Sequence, residues 1–302
     1  MADHVTGKTQ LSHPFINGEN TVPIPEGKEA EVDAFYQWMM EQKNVAAGFT
    51  KGHALLFLHA CYWNEANSKK AFQKYLTIRA NSPEIFMDRD PLSPNVGAMY
   101  DLAHMAALPH TTPEGYKLLI YRLANYDPSK MVFADAVKAF CMFNDVRLSE
   151  DGLADGYVVI FDMKGFRLSH LMRVSFGPLR HFMQYIQEAH PARLKKIMVV
   201  NTSSLINQIM TLVKPLIRSE LMGLLTFISE GPESVLPLKL LPSDYGGSLP
   251  EVAVMHREQR AEIETKYCEW LRESAVLKEL PKSKESSKTN IQQMESLKLE
   301  FD

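Results

Sequence analysis

Tyr157-Val158-Val159-Ile160-Phe161-Asp162-Met163-Lys164-Gly165 is the stretch that decides the fold. Its first five residues are apolar without alternation, and the run stops at a polar turn closed by glycine. A short continuous apolar run of this kind is a strand covered on both faces, the mark of a parallel sheet. Leu118-Leu119-Ile120-Tyr121 and Ile197-Met198-Val199-Val200 repeat the pattern on either side. Helical patterns lie between them. Asp127-Pro128 supplies an N-cap and a first-turn proline for a helix through Asn144. Gly177-Pro178 opens another, with Leu179, Phe182, Met183 and Ile186 as its apolar stripe. Strand–helix–strand alternation predicts an α/β domain, a mostly parallel sheet flanked by helices.

Upstream the period changes. Val32, Phe35, Tyr36 and Met39 recur at helical spacing, Ala54 to Tyr62 is apolar nearly all round, and Ala71, Tyr75 and Ile78 continue the theme. Residues 28–92 therefore read as a small all-helical N-terminal domain, and 1–27, punctuated by Pro14, Pro23 and Pro25, as a flexible lead-in. Prolines through residues 83–115 mark a connection into the main domain, 93–255. Residues 256–302 read as a C-terminal helix followed by a polar, disordered tail, because Pro281 to Lys288 has little to bury.

Composition narrows the function classes. With 302 residues, 45% hydrophobic and a net charge of −3, the chain lacks the basic footprint of a nucleic-acid binder. Cys61, Cys141 and Cys268 are too far apart for a disulfide framework or a zinc site, and read as reduced thiols. Met1-Ala2-Asp3-His4-Val5 does not begin a signal peptide, and no apolar run reaches the ~20 residues that span a bilayer. A cytoplasmic protein is expected. Gly7-Lys8-Thr9 lacks the upstream glycine of a phosphate loop, and His170, His181 and His190 do not share metal-ligand spacing. The expectation is no enzyme, no metal and no cofactor.

Leu205, Ile206, Ile209, Leu212, Val213, Leu216 and Ile217 form one broad apolar face, with Asn207, Gln208, Thr211 and Lys214 opposite. Pro215 removes an N–H and clashes with the carbonyl of Thr211, so a break is expected there. From the residues alone this is either an ordinary buried helix or a movable cover over a cavity.

The order of motifs resembles the CRAL-TRIO (Sec14-like) family, in particular its animal branch of tocopherol- and retinaldehyde-binding transfer proteins. The pieces are Phe57-Leu58-His59-Ala60-Cys61, then Arg79 followed by Pro83-Glu84-Ile85-Phe86 and Arg89-Asp90-Pro91. Tyr126-Asp127-Pro128, Ile160-Phe161-Asp162-Met163-Lys164-Gly165-Phe166, Val213-Lys214-Pro215 and Leu241-Pro242 with Tyr245-Gly246-Gly247 follow. The resemblance covers about residues 29–255. It implies a helical domain before a lipid-binding α/β domain, a mobile lid helix over Leu205–Ile217, and carriage of a hydrophobic small molecule: retinoid, carotenoid, tocopherol or another isoprenoid. It places Tyr157, Phe161, Leu168, Val174, Phe182, Tyr185 and Ile186 along the cavity, with Ala139 and Phe143 where the tocopherol carrier has head-group serines. The hydroxyls of Tyr157 and Tyr185 either orient the ligand or are satisfied within the core. Arg193 and Lys195, with Lys196 beside them, match a phosphoinositide patch at a transient membrane contact, although Glu220 and Leu224 replace cations farther on. Asp162 is expected to brace its turn. A rival reading is a lipid-sensing adaptor that recruits a protein partner through residues 281–302.

Overall fold

The computed structural model describes residues 22–42 and 49–273. Four helices open it: α1 (Glu29–Glu41), α2 (Lys51–Ala60), α3 (Glu65–Asn81) and the single turn α4 (Pro83–Phe86). The stripe of α1 turns Val32, Phe35 and Met39 inward. α2, apolar on every side, is buried from Gly52 to Leu58. Phe49, Phe57, Phe72 and Tyr75 meet edge to face at centroid distances of 5.1–6.4 Å, a favoured geometry for aromatic pairs. Val22 and Ile24 pack on this cluster, so the described end of the lead-in is held by the helices.

Helix α5 (Pro94–Leu102), capped by the hydroxyl of Ser93, leads into the sheet. Strands β1 (Ala103–Thr111), β2 (Lys117–Leu123), β3 (Tyr157–Asp162), β4 (Leu194–Val200) and β5 (Leu225–Phe227) lie in sequence order. β1 and β2 are antiparallel, and every later pair is parallel. The three apolar runs are β2, β3 and β4, as their pattern predicts.

β1 corrects the reading of residues 83–115 as a mere connection. Its Ala, His and Pro residues carry little strand propensity. It is an edge strand, however, so the N–H that Pro109 lacks falls in an irregular stretch of register between Ala107 and Thr111. Asp127 caps only a 3₁₀ turn, Pro128–Lys130, through Ser129 N–H at 2.9 Å. The long helix α6 starts later and runs farther than expected, Phe133–Asp151.

Because side chains alternate across a strand, the sheet sorts its apolar residues onto two faces. Leu118, Ile120, Val158, Ile160, Met198 and Val200 meet Val252 and Met255 of α11 (Val252–Thr265). The 255/256 boundary thus falls inside a helix that covers the sheet. Leu119, Tyr157 and Val159 turn the other way, toward α6, and Ile197 and Val199 toward α8 (Phe176–Glu188). Two covered faces explain why these strands show no alternation in sequence.

The elements that remain are short. α7 (Leu168–Leu171) precedes α8, and α9 (Ile206–Val213) passes into a 3₁₀ turn at Lys214–Leu216. The α-helical geometry ends two residues before Pro215, as the clash argument expects. α10 (Ser219–Met222) leads to β5, and α12 (Cys268–Glu273) ends the described chain. Near the closing Tyr245-Gly246-Gly247, a Cβ on Gly247 would collide with the carbonyl of Leu241, so only glycine fits. The tail 281–302, and with it the basis of the adaptor reading, lies outside the described residues.

Candidate functional site

A cavity of about 290 Å³ lies between the sheet, α6, α8 and α9. Its wall is apolar apart from Cys141, Asn144, Arg147, Tyr157, Tyr185 and His190. The strand alternation builds one side. Leu119, Tyr157, Val159, Phe161, Ile197 and Val199 all point into it from the same sheet face. Phe182, Tyr185 and Ile186 of α8 face them, and Ile206, Ile209, Val213 and Ile217 contribute from the α9 segment. No residue of α9 is fully buried, so its apolar face meets the cavity more than it meets a packed core.

Other expected positions stand elsewhere. Leu212 and Leu216 lie beside the cavity, against the cluster of Leu179, Met183, Ile197, Val199 and Leu221. Leu205, at the N-cap of α9, is half-buried and outside the wall. Val174 packs near the rim without lining it. Leu168 is half exposed on α7. Ala139 and Phe143 are buried in the core with Met99 and Tyr100 of α5. α6 is covered on two sides, and its cavity face carries Phe140, Asn144 and Arg147, about one residue's rotation (~100°) from the matched positions. Ala139 and Phe143 therefore do not line this cavity. The cavity face of α6 was readable as the 140/144/147 spacing, but the helix is apolar on both covered sides, and that spacing did not stand out.

Both tyrosines are satisfied within the core. The Tyr185 hydroxyl accepts from Arg79 Nη2 at 2.6 Å. Arg79 and Arg89 converge on Asp145 at 2.6 and 2.7 Å, all three nearly fully buried. Burial pushes the Asp145 carboxyl up, but the two guanidinium groups outweigh it and hold the group at about 2. Tyr157 donates to Asp151 at 3.3 Å. Burial pushes the Cys141 thiol up to about 12, so it remains an unreactive thiol. Burial also lowers His190 to about 4, which leaves the ring neutral at pH 7.

The basic residues are tied to the helical region. Arg193 Nε donates to the carbonyl of His59 at 2.8 Å, and its guanidinium lies 4.2 Å from the Tyr62 ring centroid. Lys195 Nζ donates to the Tyr62 hydroxyl at 2.7 Å. Lys196 is exposed, and Arg218 pairs with Glu188. Asp162 braces its turn as expected, accepting from Lys164 N–H, from the Asn201 amide and from the Tyr245 hydroxyl at 2.6–2.9 Å. Among the described residues no helix is long and apolar enough to cross a membrane.

Comparison with known proteins agrees with this architecture. The CRAL/TRIO domain matches residues 103–247, and a Pinta-like UBA domain matches residues 24–96. The human protein named alpha-tocopherol transfer protein-like is 25% identical over 240 residues, 76% of this chain and 68% of its own. Clavesin-1 of Rattus norvegicus is 24% identical over 200 residues, covering 65% of this chain and 56% of its own. The crystal structure of Sfh5 superposes with a TM-score of 0.43 at 10% identity, over 82% of this chain and 99% of that one. With a mostly parallel sheet matched by the CRAL/TRIO domain and a UBA-like helical region before it, the chain belongs to the Sec14-like CRAL-TRIO family.

Proposed function

We propose that the chain binds a hydrophobic small molecule, of the retinoid, carotenoid, tocopherol or wider isoprenoid class, and exchanges it at membrane surfaces. Lipid binding and transfer in general follow from the family. The finer reading rests on one observation: an apolar cavity of about 290 Å³ lined on one side by a helix with no fully buried residue. That volume lies near the lower end of the ~300–1,000 Å³ range of small-molecule pockets. Burying about 400 Å² of apolar ligand surface contributes on the order of 10 kcal/mol gross at ~25 cal/mol/Å². Association costs reduce this to a nanomolar-to-micromolar range. α9 is the door, because the apolar residues it exposes on opening are stabilised by lipid at a membrane. Arg193, Lys195 and Lys196 draw the chain to anionic lipid, phosphoinositides included, at about 1 kcal/mol per charge.

Extraction of the purified chain followed by mass spectrometry tests the proposal. An intact apolar molecule at near-stoichiometric yield is the expected result. An empty chain that also takes up no apolar probe from vesicles would refute it, and a chemically altered ligand would point to turnover instead.

A further inference from the structure

We propose that the guest of this cavity carries a terminal carboxylate and that Arg147 receives it. The inference rests on the carrier reading and adds the chemistry of the head group. It comes from the hydrogen-bond accounting of the cavity wall. The tyrosine hydroxyls at 157 and 185 are already engaged. Asn144 is spent at both ends, accepting from the Tyr121 hydroxyl at 2.9 Å and donating to the Phe140 carbonyl at 2.7 Å.

Arg147 is different. Its side chain is only 10% exposed, its Nε has no partner, and its one ion pair, to half-exposed Glu262, spans 3.7 Å. That distance is longer than a hydrogen bond. A guanidinium has five N–H donors, and a buried charge is costly unless it is paired and hydrogen-bonded. An incoming carboxylate matches the planar fork with two parallel, charge-assisted bonds, which an alcohol cannot do.

The location suits a head group. Leu148, next to Arg147, meets Tyr157 and Leu194 in one cluster, and these two residues pair where β3 and β4 begin. At the other end of these strands the wall is Met163 and Phe227, with no polar group. A guest lying along the strands puts its head at Arg147 and its tail in the apolar end. The Nδ1 of His190 is the other unpartnered polar atom of the wall and offers a second, neutral contact.

The test uses the full chain and two matched pairs, tetradecanoic acid with tetradecanol and retinoic acid with retinol, which separate straight-chain from isoprenoid acids. Dissociation constants come from titration. In at least one pair the acid is expected to bind about tenfold or more tightly than the alcohol. Arg147→Met should bring that ratio to about one, and Arg147→Lys, which keeps the charge without the fork, should give an intermediate value. Because the ratio is taken within one protein, a general loss of stability does not move it. Should Arg147→Met fail to fold, the wild-type ratio still decides. Equal binding of acid and alcohol in both pairs, or an unchanged ratio in Arg147→Met, overturns this inference and leaves the carrier reading standing. If none of the four compounds binds, this inference falls, and the carrier reading is decided by the extraction and probe-uptake experiment.

Discussion

Asp145 ties α6 to the N-terminal helical region, because one carboxylate balances two buried guanidinium groups, and one of these holds the hydroxyl of a cavity tyrosine. Asp145→Asn removes the charge that Arg79 and Arg89 share. Breaking a buried pair in this way costs about 3–5 kcal/mol, to be read as a lower urea midpoint with an unchanged slope. Its depressed carboxyl, at about 2, makes the sign of the acid response definite. The contribution is complete above the ordinary carboxylate value of 3.8 and is lost as pH falls through about 2. His190 acts in a higher window. Burial lowers it from 6.5 to about 4, so between those values the unfolded chain binds a proton that the folded chain does not. Stability therefore falls as pH drops from about 6.5 to about 4, by about 1.4 kcal/mol per pH unit for each such group. His59 and His104, each lowered to about 4 chiefly by burial but only half-buried, act in the same direction with a smaller, solvent-screened share. Denaturation curves across pH 4–7 should flatten by up to one proton in His190→Gln, and an unchanged slope would remove His190 from this account.

At the scale of elements, α9 separates function from stability. Ile209 lines the cavity, yet no residue of its helix is fully buried. Ile209→Asp is expected to shift the unfolding free energy by about 1 kcal/mol or less, as surface-like positions do. It should lower ligand retention and vesicle-to-vesicle transfer severalfold, because the carboxylate meets an apolar guest. A large stability loss with normal transfer would show that α9 is core rather than door. The same helix was legible in advance, since seven aliphatic residues on one face between Leu205 and Ile217, with Pro215 among them, encode both amphipathicity and the break. β2, β3 and β4 were legible for a related reason, their two-sided burial leaving uninterrupted apolar runs. β1 was not, because an edge strand of Ala, His and Pro has neither propensity nor pattern. β5, with only Leu225, Thr226 and Phe227, is too short for any period to emerge. The α6 wall was hidden in another way. Motif matching pointed to residues 139 and 143, and a turn of about 100° about the helix axis moves them from the cavity to the core.

On the scale of the whole molecule, the helical region and the sheet domain are joined by polar contacts that the candidate membrane residues themselves make. Tyr62 receives the Arg193 guanidinium on its ring and Lys195 Nζ on its hydroxyl, while Arg193 Nε holds the carbonyl of His59. Tyr62 and Trp63 are consecutive non-glycine residues with φ of 54° and 61°, a left-handed conformation that costs roughly 1–2 kcal/mol per residue. The backbone is thus bent at some cost to present the Tyr62 ring to these cations. None of this was visible from the sequence, because the pairing joins positions more than 130 residues apart through a strained turn. At the proposed membrane contact this sets up a competition: a lipid phosphate that takes up Lys195 or Arg193 would displace Tyr62 and give up this one link, while the buried Arg79–Asp145 pair still joins the two regions. Tyr62→Ala removes the lipid's competitor. The variant should lose about 1 kcal/mol of stability, the worth of an exposed cation–π contact with one hydrogen bond. Lys195 and Arg193 become available, and at about 1 kcal/mol per charge near an anionic surface, binding to phosphoinositide-containing vesicles should strengthen about fivefold. The gain should shrink with added salt, since the attraction is screened over ~10 Å at 0.1 M. Co-sedimentation with vesicles with and without phosphoinositide reads this directly. Weaker or unchanged binding by Tyr62→Ala would mean that these cations serve only to hold the two regions together.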